Sequence, residues 1–509
     1  MSDEPGKITE AEERFERFRK TTGLWLGPVL FVLILVAPTP TLSSDAHRLA
    51  AILGWMLVYW MCEPIPMAVT ALFGPALCVV FGIAQAKDLL ASFGDPVVFV
   101  FLGSFLLAEA MMVQGLDRRI ALGILSMRWV GNSVYRLIFA FGATAAFVSL
   151  WLSNTATTAM LLPIALGILG EIHHLLQNQG IHVGELSRLR ISRGLLLMTA
   201  YAASAGGIGT PIGTPPNLIG IGMIHKLLGI QIGFVDWMKT ALPILLVMFF
   251  ALFFIIIRLH PPEAARLPGM AEYFRARRKS LGPWSRGQFN ALTAFLVAVA
   301  LWLAPGAIGL IAGGDSPVLK AYQKNVPEGI AAILAACLLF LLPTDWKSRA
   351  FTLTWNDAKR IDWGTILLFG GGIAMGSLAF STGLAKALGE ALLASTGVKS
   401  VAGITFLSIL IGIVVSETTS NTASANMVIP VAIAVAQAGG VDPLIPALGA
   451  CLGASFGFML PVSTPPNAIV YGSGMIPITS MVKTGVFFDL IGLFLIWGGL
   501  MLLGVGHLR

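Results

Sequence analysis

The sequence predicts an all-α polytopic membrane protein, and three observations predict it. Hydrophobic residues make up 56% of the 509 residues and charged residues only 12%, about half the charged fraction of a soluble globular chain. Apolar stretches long enough to cross a ~30 Å hydrocarbon layer recur along nearly the whole chain, which a single anchor would not produce. The basic residues gather in short connections between those stretches rather than along one face, so the net charge of +7 reports membrane topology and not nucleic acid.

Taken in order, residues 1–22 mix acids and bases between Glu10 and Lys20, and no small-residue cleavage site follows. This segment reads as a cytoplasmic amphipathic helix rather than a signal peptide. Apolar segments follow at 24–41, 49–62, 65–84, 96–114, 192–225, 240–258, 289–304, 326–343, 363–382, 443–473 and 484–505. They amount to about eleven transmembrane helices, and 192–225 and 443–473 are long enough to be broken helices. Two further segments, 135–172 and 401–439, each read as helix, polar tip, helix, and so as re-entrant hairpins. Cys62, Cys78, Cys337 and Cys451 fall in or beside apolar segments without metal-ligand spacing, and are expected to be buried free thiols.

Loop charge tests this drawing. With the N-terminus inside, the connections 117–136, 258–288 and 345–360 are cytoplasmic. They hold Arg118, Arg119, Arg128, Arg275, Arg277, Arg278, Lys279, Lys347, Arg349 and Arg360, whereas the outside connections are poorer in base, as the positive-inside rule requires. Arg509, at a C-terminus placed outside, is a single exception.

The chain also repeats itself. Ser153-Asn154-Thr155-Ala156 recurs as Ser420-Asn421-Thr422-Ala423, an offset of 267 residues, and a helix opening at Asp95 is matched by one opening at Asp362 with the same offset. In the topology above Asp95 starts a helix from outside and Asp362 from inside. The two halves are therefore inverted repeats, an arrangement common among secondary transporters.

The tips read Ser149-Leu150-Trp151-Leu152-Ser153-Asn154-Thr155 and Ser416-Glu417-Thr418-Thr419-Ser420-Asn421-Thr422. Hydroxyls and amides at membrane depth are costly without partners, so runs of them point to a wet site. A helix begins just after each motif, and its free N–H groups and positive dipole end suit an anion. The second pair of signals is Gly213-Thr214-Pro215-Pro216-Asn217 and Ser463-Thr464-Pro465-Pro466-Asn467. Pro-Pro interrupts a helix, and the carbonyls freed at such a break suit Na⁺, a hard cation that prefers oxygen.

Paired Ser-Asn-Thr tips, each followed by a Thr-Pro-Pro-Asn break, resemble the divalent anion/sodium symporter family across almost the whole chain. Trp60-Met61-Cys62-Glu63-Pro64-Ile65-Pro66 is similar to that family's Trp-x-Thr-Glu-x-Ile-Pro element, with Cys62 and Pro64 as departures. The resemblance implies one Na⁺ site at Ser149, Ser153, Asn154 and Gly213, and a pseudo-symmetric one at Ser416, Thr419, Asn421 and Ser463. It implies a dianion between the tips, on Ser153, Asn154, Thr155, Thr214, Ser420, Asn421, Thr422, Thr464 and Pro465. Ser416, Thr419 and Ser463 stand where relatives are expected to carry other small residues. The family's fold implies an elevator movement in a homodimer. Its scaffold helices would be 23–133 and 289–400, and its transport elements 134–258 and 401–509, joined by the basic loop 259–288.

The expected function is sodium-coupled symport of a C4-dicarboxylate such as succinate, malate or fumarate, across the cell inner membrane. A dicarboxylate exchanger of the same fold and a sulfate or citrate transporter are the alternatives. No lysine or arginine stands in the tips or breaks, so bound Na⁺ and helix N-termini would have to neutralise the anion. An enzyme is not expected, because neither a His-Glu-x-x-His nor a Walker sequence occurs. Glu417, beside the second tip, reads equally as a cation-facing carboxylate and as a cap.

Overall fold

The computed structural model describes residues 10–178, 184–313, 315–504 and 506. The start of the N-terminal segment and Arg509 lie outside the described residues. Helices dominate the rest, as a hydrocarbon solvent demands, since backbone N–H and C=O groups there must be paired within the protein. In the first half α1 (Glu10–Val36), α2 (Ser44–Cys62), α3 (Met67–Val80), α4 (Ala86–Leu90), α5 (Pro96–Val113) and α6 (Leu116–Leu125) come first. The first hairpin is α7 (Val134–Ser149) with α8 (Asn154–Asn178). The broken helix α9 (Arg190–Gly207) and α10 (Pro215–Leu228) follows, then α11 (Phe234–Leu259) and the basic α12 (Met270–Lys279).

The second half opens with α13 (Arg286–Ala312), α14 (Pro317–Asn325), α15 (Glu328–Leu341), the single turn α16 (Trp355–Ala358), α17 (Trp363–Ser381) and α18 (Leu384–Thr396). Its hairpin is α19 (Val401–Thr418) with α20 (Asn421–Ala438), its broken pair α21 (Leu444–Gly453) with α22 (Pro465–Tyr471), and its last helix α23 (Ile478–Leu503). A small antiparallel ribbon pairs β1 (Pro343–Asp345) with β2 (Ala350–Phe351).

Local chemistry repeats between the halves. Asp95 caps α5 by accepting from Val97 N at 3.0 Å, and Asp362 caps α17 by accepting from Thr365 N at 2.9 Å. Gly115 and Gly383 adopt left-handed φ values of 66° and 85°, which turn the chain from α5 into α6 and from α17 into α18. Packing is exchanged in the same pattern: α5 lies along α15 and α17 along α3, while α10 lies along α20 and α22 along α8. A Cβ at Gly103 of α5 would fall 2.6 Å from the Ala332 carbonyl carbon, and one at Gly371 of α17 would overlap the Ala71 carbonyl. Small residues thus bring backbones together where apolar burial gives helices no reason to associate. Phe101 and Phe369 meet edge to face across this junction, with centroids 5.2 Å apart.

Connections assigned to one side of the membrane touch one another. Val134 N donates to Ala265 O and Leu267 N to Asn132 O, which joins 117–136 to 258–288. Gln114 and Asn290 reach Thr352 O and Thr352 Oγ1, which brings 345–360 to the same end. At the opposite end Ser43 donates to Thr382 O, and Glu328 Oε1 accepts from Phe234 N at 2.7 Å.

Several details differ from the sequence reading. Among the described residues, eight helices are long and apolar enough to cross a membrane by length and composition, and two of these are the hairpin arms α8 and α19. α3, at 14 residues, and the broken pairs fall short of that length because prolines and glycines interrupt them. α14 and α15 bend by 59° between them, so the outer connection after α13 is helical. The short helices α6, α12, α14 and α18 and the ribbon were not drawn from the sequence, since each is too short for an apolar run to reveal. Cys337 is exposed and Cys62 half-buried; only Cys78 and Cys451 are buried thiols.

Candidate functional site

Each polar motif has a defined place in its helix. Ser153 caps α8, its Oγ accepting from Ala156 N at 3.2 Å, and Ser420 caps α20, accepting from Ala423 N at 3.2 Å. Asn154 and Asn421 are therefore first residues of helices, and their side chains turn back toward the preceding arm. There Ser149 donates to Asn154 Oδ1 at 2.7 Å and Ser416 donates to Asn421 Oδ1 at 2.7 Å. The two tips are built on the same bond.

Thr214 and Thr464 occupy the cap positions of α10 and α22 in extended geometry, with φ of −147° and −143°. The prolines then sit in the first turn, where a missing N–H costs nothing. The motif's asparagine gathers carbonyls from the chain that runs out of the preceding half-helix to the break. Asn217 Nδ2 donates to Gly207 O at 2.9 Å, Ile208 O at 3.2 Å and Thr210 O at 2.7 Å. Asn467 Nδ2 donates to Gly457 O at 2.9 Å and Leu460 O at 3.0 Å. Both asparagines were quoted as part of the motifs but not as site residues. Their regular place three positions after the cap is the signal that marked them.

The first tip and the first break form an oxygen-lined cradle. A Cβ at Gly213 would lie 2.5 Å from Gly207 O and 2.8 Å from Ser149 O; one at Gly207 would lie 3.0 Å from Gly213 O and overlap Asn154 Oδ1. Ser149, Asn154, Gly207 and Gly213 thus bring oxygens to a space the size of one small group, a donor set that fits Na⁺ and not a soft metal. Asn154 Nδ2 also reaches Thr214 Oγ1 at 3.4 Å, which ties the tip to the break.

The second cradle is similar but less open. Ser416 donates also to Ala454 O at 2.8 Å, Asn421 Nδ2 donates to Ser455 O at 3.2 Å, and a Cβ at Gly457 would lie 3.2 Å from Asn421 Oδ1. The Thr419 hydroxyl turns back to Val415 O at 2.8 Å, and the Ser463 hydroxyl donates to Glu417 O and Glu417 Oε2 at 2.9 and 2.8 Å. Those two side chains are thus directed away from Asn421, although Thr419 and Ser463 remain beside it. Glu417 caps the second break, accepting from Phe458 N at 2.6 Å and Met459 N at 2.9 Å.

The residues expected to face the substrate lie on and beside helices that pack between the two halves. Thr214 and Thr464 are buried, Ser153, Ser420, Asn421 and Thr422 half-buried, and Thr155 and Pro465 exposed. Because α22 packs on α8 and α10 on α20, each break meets the other repeat's hairpin. Cys451 Sγ reaches Pro216 O at 3.1 Å across the same junction, and Tyr201 of α9 donates to Phe458 O at 2.6 Å. A separate cavity of about 200 Å³ lies away from the tips, against Arg118, Met160, Tyr273 and Arg277.

Known proteins resemble this chain along nearly its whole length. Residues 19–505 match the family described as the sodium:sulfate symporter transmembrane region. The chain is 34% identical over 480 residues to the sodium-dependent dicarboxylate transporter SdcS of Staphylococcus saprophyticus, covering 93% of this chain and 89% of that one. It is 33% identical over 482 residues to SdcS of Staphylococcus aureus, with the same coverage. Solved structures with a similar fold include MtrF of Neisseria gonorrhoeae, at TM-score 0.52 and 14% identity over 95% of this chain and 97% of that chain. The YdaH transporter of Alcanivorax borkumensis is similar at TM-score 0.51 and 16% identity, over 97% of each chain. With two oxygen cradles at the tips of repeated hairpins and a match that runs almost from end to end, the chain belongs to the sodium:sulfate symporter family of multi-pass membrane proteins.

Proposed function

We propose that this protein is a sodium-coupled symporter that carries C4-dicarboxylates such as succinate, malate and fumarate across the cell inner membrane. The observation that supports it best is the first cradle, where Ser149, Asn154, Gly207 and Gly213 present oxygens and no fixed cation stands in the tip or break. A dianion beside such a site has to be neutralised by the bound ions and by the N-termini of α8, α10 and α20. Sodium and dicarboxylate therefore bind each other's complex better than the empty protein, which is the thermodynamic content of coupling. The names of the Staphylococcus relatives support the choice of dicarboxylate over sulfate.

On this reading Ser149, Ser153, Asn154 and Gly213 hold one Na⁺, and Ser416 and Asn421, with the backbone at Thr419 and Ser463, hold the other. Ser153, Asn154, Thr155, Thr214, Ser420, Asn421, Thr422, Thr464 and Pro465 face the anion. The tips, broken helices, α11 and α23 move together as an elevator against scaffold helices, within a homodimer. Two sodium ions cancel the substrate's two charges, and any further cation makes each cycle electrogenic, at ~2.3 kcal/mol per 100 mV for each net charge.

The test is uptake of labelled succinate into proteoliposomes with and without an inward sodium gradient. Symport requires uptake that collapses without sodium. Uptake that needs internal dicarboxylate but no cation would replace symport with exchange, and sulfate uptake that succinate fails to compete with would replace the substrate.

A further inference from the structure

Asp489 is the one acid of α23, which carries a single base, Lys483, more than a turn earlier, and nothing in the two cradles uses it. It lies on the face of α23 that packs against α19 and α21, and it is 4% exposed. Among the described residues no hydrogen-bond donor reaches either of its carboxylate oxygens. A carboxylate at membrane depth is among the most costly groups to leave alone, and such residues mark ion pathways.

Its neighbour is a second carboxylate. The Glu417 carboxyl, 4% exposed, accepts from Phe458 N, and the Phe458 ring packs on Phe488, the residue before Asp489, with centroids 4.7 Å apart, which brings the two acids together. Three donors, Phe458 N, Met459 N and Ser463 Oγ, already engage the Glu417 carboxyl. The Tyr201 phenol faces both acids, but its hydrogen is directed to the carbonyls of Phe458 and Met481. α21 brings no charge. α11 offers Asp236, Lys239 and Arg258 only near its ends. His260 engages Thr484 Oγ1 at 2.9 Å, more than a turn before Asp489. No base on the adjoining helices compensates the pair.

The first repeat lacks this feature. At the offset of 267 residues Glu417 corresponds to Leu150, and α11, the counterpart of α23, carries no acid after Asp236. The pair is therefore not part of the repeated architecture, and the second half keeps it at a cost that packing alone does not explain.

We propose that Glu417 and Asp489, with the Tyr201 hydroxyl oxygen beside them, form a further sodium site, separate from the two cradles and confined to the second repeat. Carboxylate and hydroxyl oxygens are the ligands a hard cation prefers. The site touches the second cradle through Ser463, whose hydroxyl is bonded to Glu417, and through Ser416, which precedes Glu417 in the chain. Occupancy of one site is then coupled to that of the other. The inference rests on the symport reading, to which it adds a cation beyond those that balance the dianion.

Two measurements on the full-length protein test it. Equilibrium binding of ²²Na⁺ to purified protein without dicarboxylate is expected to fall by one ion per protomer in Asp489→Asn, whose amide matches the shape of the acid. An unchanged count in a variant that melts as a folded protein would overturn the site and leave a proton shared between the acids as the explanation. The reversal potential of succinate uptake by the unsubstituted protein needs no variant. Three Na⁺ per succinate is expected, and a ratio of two would overturn the proposal. Uptake indifferent to sodium would instead remove the symport reading itself.

Discussion

Ser149 donates its hydroxyl to Oδ1 of Asn154 at 2.7 Å, across the turn that joins the arms of the first hairpin. The bond fixes Oδ1 toward Gly207 and leaves Nδ2 for Thr214. Removing the amide takes away a cradle oxygen and both of these ties. Asn154→Ala is therefore expected to raise the sodium concentration for half-maximal succinate uptake about 10- to 100-fold, the equivalent of ~1–3 kcal/mol. Asn421→Ala is expected to act in the same direction, and in both the melting temperature should stay near that of the parent. Unaltered sodium dependence in either variant would count against the assignment of its cradle.

Glycine at 207 gives a second, independent probe of the same space. A side-chain methyl there would overlap Asn154 Oδ1, while the rest of the surroundings includes Gly213 O at 3.0 Å. Gly207→Ala should weaken sodium-dependent uptake as strongly as Asn154→Ala while retaining the fold. At the adjacent Gly206 the added Cβ would stand 2.5 Å from Ala146 Cα of α7, a backbone contact that cannot yield. Gly206→Ala is expected to destabilise the protein by ~1–3 kcal/mol or more, read as a lower melting temperature.

Asn217 serves the break rather than the ion. Its amide nitrogen binds three carbonyls within 3.2 Å, so a carboxylate at the same position would set oxygen against oxygen. Asn217→Asp should lower the melting temperature more than Asn217→Ala, which leaves Gly207 O without the amide at about 1–3 kcal/mol, while Ile208 O keeps Trp237 Nε1 and Thr210 O keeps Gly213 N. Equal effects would mean that the amide does not organise the break.

Asp117 links stability to pH at the end of the protein where the basic connections gather. Burial pushes its carboxyl up to about 6 from an ordinary value of 3.8, against the opposing influence of the Arg118 N–H and charge. A raised value means that the folded protein prefers the protonated form. The contribution is thus fully present below pH 3.8 and is lost as pH rises through about 6. Asp117→Asn, neutral throughout, should stabilise the protein at pH 7 and flatten the slope of melting temperature between those limits. A variant as pH-sensitive as its parent would assign the slope to other groups.

The parts of the site that repeat were legible in the sequence, because repetition separates a motif from its background. Ser153-Asn154-Thr155 with Ser420-Asn421-Thr422, and the two Thr-Pro-Pro-Asn steps, located both tips and both breaks within a residue or two. Their roles were less legible. The prolines looked like interruptions in a helix and prove to be its first turn, and the asparagine after them does the gathering of carbonyls. Contacts between distant segments left no local trace. Nothing near Tyr201 announces Phe458, and nothing near Asp489 announces Glu417, because one residue in an apolar helix has no periodicity of its own. Short helices such as α6 and α18 escaped for a related reason, since ten to thirteen residues hold too few turns for an apolar face to stand out from the spans beside them.

Binding of succinate to the purified protein, followed by its effect on melting temperature in sodium chloride and in choline chloride, tests most directly whether sodium supplies the positive charge that the site's side chains lack. Stabilisation by succinate in sodium and none in choline is the expected result. Equal stabilisation in both salts would contradict the account.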